Sequence, residues 1–455
     1  MKQPNTGYYC PVPHGKRWYS MPVNPPLNIA LLGLGTVGTG VAQILTDSAA
    51  LLEHRAGRHL KLRKVLTKNP AKSRDITLLP GVLASNLQEI LQDPSIDAVV
   101  EVAGGTTWAF DAIVAALEAG KDVVTANKAI LATRGAELFS IARKYQRCVA
   151  FEASVAGGIP IIGAIQRGLA GNTIVAIQGI LNGTCNYILT RMTDDLLDYP
   201  TALRGAQDLG FAESDPTLDV NGTDAAHKLA VLAHLAMDAT LDVEAISRRG
   251  IDTLAPLDIH FASELGYSIR LLAEIWSDPA GITSHVSPVL LKKNTPLAQV
   301  RGAFNAVRVI GDSVGETLFY GAGAGRKPTA SAVVSDLVEL AVSRNGLLAA
   351  TNRLWTQNPS APCLPPEKLR SRYYLRLHVV DRPGVMAEVS GVLASHEISI
   401  ASVIQHETPT DAANSQVHMV IMTHLASAGR FLNAINALNQ LTCVLAQAVH
   451  YPVGE

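Results

Sequence analysis

Short apolar runs alternate with amphipathic stretches along the first third of the chain. The apolar run at 27–32 ends at a glycine, and the pattern at 37–52 is that of a helix. Further strands are predicted at 60–66, 97–102, 121–126 and 148–152, and further helices at 111–119 and 136–145. This regular alternation of strands and helices predicts an α/β fold with a doubly wound parallel sheet.

The pattern changes at about residue 155. Strands are predicted at 173–181 and 282–289, and helices at 224–237 and 263–272. This mixture predicts a second, α+β domain over 156–321. A glycine-rich turn then opens a helix predicted at 329–340, and we expect residues 322–345 to return to the first domain, 27–155.

The last part of the chain has a pattern of its own. Strands are predicted at 373–380, 398–406, 416–423 and 443–449, and helices at 385–396 and 428–438. The order βαββαβ predicts a ferredoxin-like domain over 373–452. The prolines within 346–372 predict a linker that leaves this domain loosely coupled to the rest. Residues 1–26 have the composition of a poorly ordered extension.

Composition narrows the possible classes of function. A chain of 455 residues suggests about three domains. With 38 basic and 39 acidic side chains the net charge is −1, so no basic excess exists to bind nucleic acid. Apolar residues make up 48% of the chain and charged residues 17%, which is too apolar for disorder and sufficient for large buried cores.

Other features bear on the cellular compartment. The uncharged segment at 18–46 contains prolines and glycines that a membrane-spanning helix does not tolerate, so we expect no membrane association. The first twenty residues lack the apolar core of a signal peptide. The five cysteines are scattered and form no C-x-x-C pair, which predicts a reducing, cytoplasmic environment.

The glycine motif G-x-G-x-x-G lies at 33–38, between the first predicted strand and the first predicted helix. Gly33, Gly35 and Gly38 would permit a tight turn, the close approach of a pyrophosphate and close packing of the helix on the strand. The helix begins near Thr36 and Val37, where free N–H groups favour an anion. The motif predicts a dinucleotide site; the alternative is a glycine-rich packing turn.

The residues after the second predicted strand bear on the choice of cofactor. An acid that would bind the ribose of NAD is absent there, and Lys68, Lys72 and Arg74 follow the strand instead. Basic groups attract a 2′-phosphate, so NADP is the favoured cofactor and NAD is possible. The alternative is an ordinary solvated run of basic residues.

A dense acidic segment follows residue 210. It contains Glu213, Asp215, Asp219 and Asp224, and Lys228 is its only formal cation. Like charges at this density are costly unless a cation joins them, and a substrate ammonium would serve. Asp224 and Lys228 are four residues apart, which places them on one helix face where the carboxylate can orient the amine for acid–base work. The alternative is a surface ion pair.

A further lysine, Lys128, follows the strand predicted at 121–126. Ligands of doubly wound sheets bind at the carboxyl ends of the strands, so this ammonium could contact a phosphate, a nicotinamide amide or a substrate carboxylate. The alternative is a solvent-facing loop lysine.

Several motifs, taken in order along the chain, resemble those of homoserine dehydrogenases of the long form with a C-terminal ACT domain. They are G-x-G-T-V-G at 33–38, E-V-A-G-G at 101–105, T-A-N-K at 125–128, E-A-S-V-A-G-G-I-P at 152–160, L-N-G-T at 181–184, D-x-x-x-K at 224–228 and G-A-G-A-G at 321–325. The resemblance implies a Rossmann-type dinucleotide domain, a substrate-binding and dimerisation domain, and an ACT domain at the three predicted positions. It also implies a homodimer or homotetramer.

The resemblance implies the reversible reduction of L-aspartate 4-semialdehyde to L-homoserine. By position, Lys228 corresponds to the proton donor and Asp224 to its support. Glu213 and Asp219 correspond to substrate ligands, and Lys128 to a contact of both cofactor and substrate. The chemistry agrees, because an alkoxide that develops during hydride transfer needs a proton and a positive field.

The resemblance also implies cofactor, cation and effector sites. Its cofactor residues correspond to Gly33, Gly35, Thr36, Val37, Gly38, Lys68, Gly105, Thr106, Lys128, Gly321 and Gly323. A monovalent cation, Na⁺ or K⁺, corresponds to Glu152 and the carbonyls of Val155, Gly157 and Ile159. L-threonine is the effector expected at the ACT domain.

Two other functions compete with this interpretation. A phosphorylating semialdehyde dehydrogenase shares the dinucleotide domain but needs a cysteine nucleophile, for which Cys185 is the candidate. This cysteine stands where the family usually has a hydroxyl residue. A non-catalytic amino-acid sensor built on the ACT region is the second alternative, and the complete set of acids and lysines argues against it.

Overall fold

The computed structural model describes residues 24–356, 362–406 and 416–454. The first part contains β1 (Leu27–Leu32), α1 (Thr36–Asp47), α2 (Ala49–Ala56), β2 (Leu60–Leu66), α3 (Gln88–Leu91), β3 (Ala98–Glu101), α4 (Trp108–Glu118), β4 (Asp122–Thr125), α5 (Lys128–Tyr145) and β5 (Val149–Ala150). The middle part contains α6 (Ile161–Gly163), β6 (Ile174–Ile180), α7 (Gly183–Asp194), α8 (Tyr199–Asp208), α9 (Thr217–Val220), α10 (Thr223–Met237), β7 (Ser247–Arg248), α11 (Pro256–Glu264), β8 (Tyr267–Asp278), β9 (Gly281–Lys292), β10 (Phe304–Gly311), β11 (Gly315–Ala322) and α12 (Arg326–Arg353). The last part contains β12 (Arg370–Val380), α13 (Val385–Ser395), β13 (Ile400–Gln405), β14 (Gln416–Thr423), β15 (Ala426–Ser427), α14 (Ala428–Leu438) and β16 (Val449–Val453).

The first sheet has the order β2-β1-β3-β4-β5, and all its strands are parallel. Its central strands are apolar on both faces, and Leu31, Val99 and Val124 are fully buried between the helices. The predicted doubly wound sheet is therefore confirmed. The carboxyl ends of β1, β3 and β4 lie side by side at one edge, which is where such sheets bind ligands.

Helix α12 returns to this first sheet and packs against α1. A Cβ at Gly40 would lie 2.7 Å from the carbonyl oxygen of Arg326, so only glycine permits this approach of the two helices. The helix is longer than the predicted 329–340, because after Pro328, in its first turn, no proline occurs before residue 359. It occupies the first part of the predicted linker, 346–372, and the buried Trp355 beyond it stacks on Phe139 and His234.

The second sheet has the order β11-β10-β6-β8-β9-β16-β12-β14-β13. The helix predicted at 263–272 is wrong, because α11 ends at Glu264, a turn follows at Gly266 (φ +83°), and strand β8 begins at Tyr267. Most of the side chains in β8 are buried on both faces of the sheet, which hides the period of two that identifies a strand. The predicted mixed second domain is otherwise confirmed, and the boundaries between domains stay predictions.

Strands β16-β12-β14-β13, with α13 and α14, form the predicted ferredoxin-like domain. Its last strand is Val449–Val453 and not 443–449, because residues 449–453 are the ones that align with β12. Strand β16 also pairs with β9, and Gly454 N donates to Leu290 O at 2.9 Å. The sheet is thus continuous from the second domain to the third, and the expectation of loose coupling is wrong.

Part of the predicted extension, residues 1–23, lies outside the described residues. Within the described ranges, none of the helices combines the length and the apolar character that crossing a membrane requires.

Candidate active site

A cavity of about 850 Å³ lies between the carboxyl edge of the first sheet and helices α7 and α10. Its walls bring together six residues predicted from the sequence, namely Lys128, Glu213, Asp219, Asp224, Lys228 and Gly323. These residues are separated by up to about two hundred positions in the chain, so the fold has assembled them. The cavity is therefore the candidate active site.

A buried carboxylate forms ion pairs with two lysine ammonium groups in the lining of this cavity. Helix α10 places Asp224 and Lys228 one turn apart, and Lys228 Nζ donates to Asp224 Oδ2 at 2.7 Å. Lys228 Nζ also donates to the carbonyl oxygen of Leu181 at 2.7 Å. Lys128 begins α5, and its Nζ lies 3.1 Å from the other carboxylate oxygen, Asp224 Oδ1. Two positive charges therefore flank one negative charge.

The protonation of the two aspartates follows from these neighbours. Asp224 is only 8% exposed. Its burial works against the ionised carboxyl, but Lys228 and Lys128 outweigh that effect and hold its pKa below the ordinary value. Asp219 is shifted the other way, because burial and the charge of Asp224 raise its pKa. Asp224 therefore stays ionised, while Asp219 is the carboxylate that gains most from a substrate cation.

Asn182 holds the two aspartates in place. Its Nδ2 donates to Asp219 Oδ1 at 2.7 Å and to Asp224 Oδ2 at 2.9 Å. Its Oδ1 accepts from Cys185 N at 2.8 Å and caps α7. From the sequence this asparagine is part of the L-N-G-T motif without an assigned role, although an asparagine directly before a helix is a capping signal.

The other two carboxylates of the acidic segment after residue 210 belong to Glu213 and Asp215, and only Glu213 lines the cavity. Glu213 lines the cavity and its side chain is exposed. Asp215 lies on the surface and accepts from Thr217 Oγ1 at 2.6 Å, so it stabilises the start of α9. Asp215 is not among the residues that line the cavity.

The glycine motif has the geometry that a pyrophosphate requires. Gly33 turns with φ +103°, and a Cβ on Gly38 would lie 2.0 Å from the Gly33 carbonyl oxygen. In contrast, a Cβ on Gly35 would meet nothing within 4 Å, so the space before α1 is open. The N-cap residue of α1 is Gly35, which has no side chain with which to cap the helix that Thr36 and Val37 begin. The residues present therefore fit an anionic dinucleotide.

A second turn at this edge is held by a buried glutamate. Glu101 Oε1 accepts from Ala103 N at 2.9 Å and from Gly104 N at 3.1 Å, and Thr125 Oγ1 donates to Glu101 Oε2 at 2.7 Å. Asn127 Nδ2 then donates to Gly105 O at 2.7 Å. The turn that carries Gly105 and the exposed residue after it, Thr106, is thereby fixed to the start of α5. The sequence analysis did not predict this network.

The basic residues after β2 have two different roles. Lys68 is exposed directly beyond the strand. Arg74 donates from Nε to Leu34 O at 2.7 Å and from Nη2 to Thr67 Oγ1 at 3.0 Å, so it braces the glycine motif. The role of Lys68 in binding a phosphate therefore stays a prediction, while Arg74 has most of its donors in use.

Comparisons with known proteins identify the family of this chain. Family models match at residues 33–152 (homoserine dehydrogenase, NAD binding domain), 160–338 (homoserine dehydrogenase) and 373–443 (ACT domain). The chain is 40% identical to the homoserine dehydrogenase of Bacillus subtilis, over 92% of this chain and 96% of that protein. It is 41% identical to that of Pseudomonas aeruginosa, over 94% and 99%. The chain belongs to the homoserine dehydrogenase family.

The structural match is equally extensive. The crystal structure of a homoserine dehydrogenase from Thiobacillus denitrificans superposes with a TM-score of 0.88 at 40% identity, over 94% of this chain and 98% of that chain. The predicted family and the three-part fold are thereby confirmed. The chain is an oxidoreductase of the homoserine dehydrogenase type with a nicotinamide dinucleotide site.

The predicted cation site includes the buried side chain of Glu152. Both carboxylate oxygens of Glu152 accept backbone N–H groups, from Ile162 and Gly163, each at 2.8 Å. This side chain is 7% exposed, and burial raises its pKa. It therefore holds the loop in shape, and its expected role as a cation ligand stays a prediction.

The backbone carbonyls of the same loop differ in whether they accept a hydrogen bond. Ile159 O accepts from Ile161 N at 2.8 Å. In the part of the chain that the structure describes, no hydrogen bond reaches the carbonyls of Val155 or Gly157. The backbone between them is left-handed, with φ +51° at Ala156 and +33° at Gly157. Two such carbonyls fit a hard monovalent cation.

The glycine loop after β11 packs on that segment. Gly158 N donates to Ala322 O at 2.9 Å, and a Cβ on Gly157 would lie 2.6 Å from Gly323 O. Gly323 lines the cavity, whereas Gly321 lies within β11 and is not among the lining residues.

Cys185 lacks the surroundings of a nucleophile. Its side chain is 0% exposed within α7, and Sγ donates to Asp219 O at 3.2 Å. Burial raises the pKa of this thiol, and the neighbouring aspartates raise it further. A reactive cysteine needs a lowered pKa and access to substrate. The structure therefore argues against a phosphorylating dehydrogenase that uses Cys185.

Proposed function

We propose that this chain catalyses the reversible reduction of L-aspartate 4-semialdehyde to L-homoserine, in the biosynthesis of threonine, methionine and isoleucine. One observation carries the proposal. The ammonium groups of Lys128 and Lys228 both form ion pairs with the ionised Asp224, inside the cavity at the carboxyl edge of the first sheet. A cytoplasmic location accords with the thiols of Cys148, Cys185, Cys363 and Cys443, which form no disulfide within the described part of the chain.

The roles of the side chains follow from their positions. When bound, the dinucleotide supplies the hydride that reduces the aldehyde carbon. Lys228 gives a proton to the carbonyl oxygen, and its charge stabilises the alkoxide that develops there. Asp224 fixes this ammonium. Asp219 and Glu213 bind the substrate ammonium, while Lys128 contacts the cofactor and the substrate.

NADP is the proposed cofactor, with NAD as the possible second. The exposed Lys68 beyond β2 supports it, and a hyperthermophilic archaeal homoserine dehydrogenase with 26% identity and a TM-score of 0.59 is described in complex with NADPH. Replacing Lys68 with glutamate is expected to raise the KM for NADP about tenfold more than the KM for NAD, since one charge-assisted contact is worth about 1.5–3 kcal/mol. Steady-state homoserine oxidation with each cofactor measures this.

The matched control is Lys61→Glu. Lys61 is exposed near the other end of the same strand, so the change of charge is identical but distant from the glycine motif. It should leave both KM values near those of the wild type. Equal effects of Lys68→Glu on the two cofactors would show that Lys68 does not contact the 2′-phosphate.

A monovalent cation, Na⁺ or K⁺, belongs to the same proposal. The carbonyls of Val155 and Gly157 support it, with Ile159 beside them and Glu152 holding the loop. We also propose assembly as a homodimer or homotetramer. The exposed apolar side chains of Leu318 and Tyr320 on β11 offer a surface for it.

L-threonine is the proposed effector of the ACT domain. Helix α13 begins after Gly384, whose φ of +95° turns the chain so that the free N–H groups of the helix can meet a carboxylate. Alanine at Gly384 is strained by about 1–2 kcal/mol in this conformation. Relief of this strain would shift the first turn of α13 and its N–H groups, so Gly384→Ala is expected to weaken threonine binding roughly tenfold, as measured by calorimetry and by inhibition of homoserine oxidation.

The control for that prediction is Gly391→Ala, on the same helix. A Cβ at Gly391 would meet nothing within 4 Å, so its response to threonine should match that of the wild type. A full-length enzyme that binds no threonine in the calorimeter would overturn the regulatory proposal.

A further inference from the structure

We propose that Arg249 is a positioning residue through which the ACT domain fixes the position of Asp219, the carboxylate that binds the substrate in the proposed function. Arg249 lies outside the cavity, in the segment between β7 and α11. Its side chain contacts the ACT domain, and the two residues after it contact the end of helix α9, which carries Asp219. The inference rests on the proposed role of Asp219 in binding substrate.

The contact with the ACT domain is made by the guanidinium. Arg249 Nη1 donates to the carbonyl oxygen of His450, in strand β16. Its Cζ lies 4.4 Å from the centroid of the Tyr451 ring, which is a cation–π geometry. Tyr451 is fully buried, so the plane of this ring is fixed by the packing of the domain. The guanidinium is therefore held on two sides by the same strand.

The contact with the catalytic side is made by the backbone. Arg249 N donates to Val286 O at 2.8 Å, which anchors the segment on β9. Ile251 N donates to Val220 O at 2.9 Å. A Cβ on Gly250 would lie 2.2 Å from the same Val220 oxygen, so the two backbones are in direct contact. Val220 directly follows Asp219 in the chain.

The turn between α9 and α10 receives support from the same strand. Gly222 adopts φ +85°, and a Cβ there would lie 3.0 Å from Val286 Cγ1. This turn joins Asp219 to the helix that carries Lys228. The turn between α9 and α10 is thus in contact with residues 249–251 and Val286, and Arg249 connects these residues to β16.

The neighbouring arginine provides a matched control. Arg248 Nη2 bonds to Glu244 Oε2 at 2.8 Å and Nη1 to Val243 O at 3.0 Å, and these contacts stay within the loop before it. Arg248→Ala therefore removes an arginine of similar burial without touching the ACT domain. Differences between the two variants report the contact with β16.

Arg249→Ala is expected to raise the KM for homoserine about fivefold relative to Arg248→Ala, within the roughly 2- to 30-fold that couplings of this kind produce. The KM for NADP and kcat should stay within about twofold of the wild type, because the glycine motif is unchanged and Lys228 keeps its own hydrogen bonds to Asp224 and to Leu181 O. A partial loss of folding would instead lower the apparent kcat and leave both KM values unchanged. Equal KM values for homoserine in the two variants would overturn the proposal.

A second pair of variants tests the contact from the ACT side. Tyr451→Phe keeps the ring and removes only a hydroxyl that has no hydrogen-bond partner among the described residues, so the KM for homoserine should not change. Tyr451→Leu removes the ring face and leaves the hydrogen bond to His450 O, so it should raise the KM for homoserine by part of the effect of Arg249→Ala. Combining Tyr451→Leu with Arg249→Ala should add nothing to the effect of Arg249→Ala, since the alanine already removes both contacts. Additive effects would overturn the proposal.

The variant Asp219→Asn separates this inference from the proposed function. If Asp219→Asn leaves the KM for homoserine unchanged, the role of Asp219 in binding substrate is wrong, and the positioning role of Arg249 is wrong as well. If Asp219→Asn raises that KM and Arg249→Ala does not, only the positioning role of Arg249 is wrong. With both correct, Arg249→Ala should have no additional effect on KM in the Asp219→Asn background.

Discussion

Replacing Lys228 with alanine is expected to lower kcat by about 10²–10⁴-fold, the usual contribution of general acid–base catalysis. The ammonium acts on charge that develops in the transition state, so its loss reduces kcat and leaves the KM for NADP near the wild-type value. Lys128 stays beside Asp224 at 3.1 Å, so the buried carboxylate keeps a cationic partner and the fold should persist. Steady-state homoserine oxidation measures the loss.

Lys228→Arg separates the two functions of this side chain. Arginine preserves a positive charge opposite Asp224 but does not give up a proton in proteins. We therefore expect Lys228→Arg to retain cofactor binding and to be nearly as slow as Lys228→Ala. An alanine variant with more than about a tenth of wild-type turnover would contradict the role of Lys228 as proton donor.

The elements that the sequence predicted best are those whose pattern is local. The bounds of β2, β14 and α14 agree with prediction, because each element is a regular pattern between clear breaks. The spacing of Asp224 and Lys228 also suffices to place both on one helix face. The carboxyl edge of a parallel sheet then predicts that Lys128 lies nearby, and the structure places it on the same carboxylate.

Contacts between distant parts of the chain could not be predicted in this way. Glu101 meets Thr125 and Asn182 meets Asp219 only because the fold brings separate elements together. The basic run after β2 shows the same limit, because composition does not distinguish the exposed Lys68 from Arg74, which braces Leu34. Prolines likewise predicted a flexible connection, whereas a continuous sheet joins the last two domains.

A buried ion pair strengthens that connection. Asp258 on α11 is 0% exposed, and it accepts from Arg376 Nε at 2.6 Å and from Arg376 Nη2 at 3.0 Å. Tyr374 OH donates to the same carboxylate at 3.0 Å. Both partners from the ACT domain lie on β12. The only formal charge that compensates Asp258 within this cluster therefore comes from the other domain.

Arg376→Met is expected to destabilise the protein by about 3–5 kcal/mol, because a buried carboxylate then lacks its cation. For a domain of ordinary size, this is a fall of roughly 6 °C or more in the thermal midpoint. The control Arg372→Met changes the same residue type on the same strand, but among the described residues its Nε bonds only to Thr423 O, at 3.3 Å within the ACT domain. Replacing both Arg376 and Asp258 with apolar residues should recover much of the loss, since no charge is then left buried. Equal midpoints for Arg376→Met and Arg372→Met would show that the ion pair does not hold the two domains together.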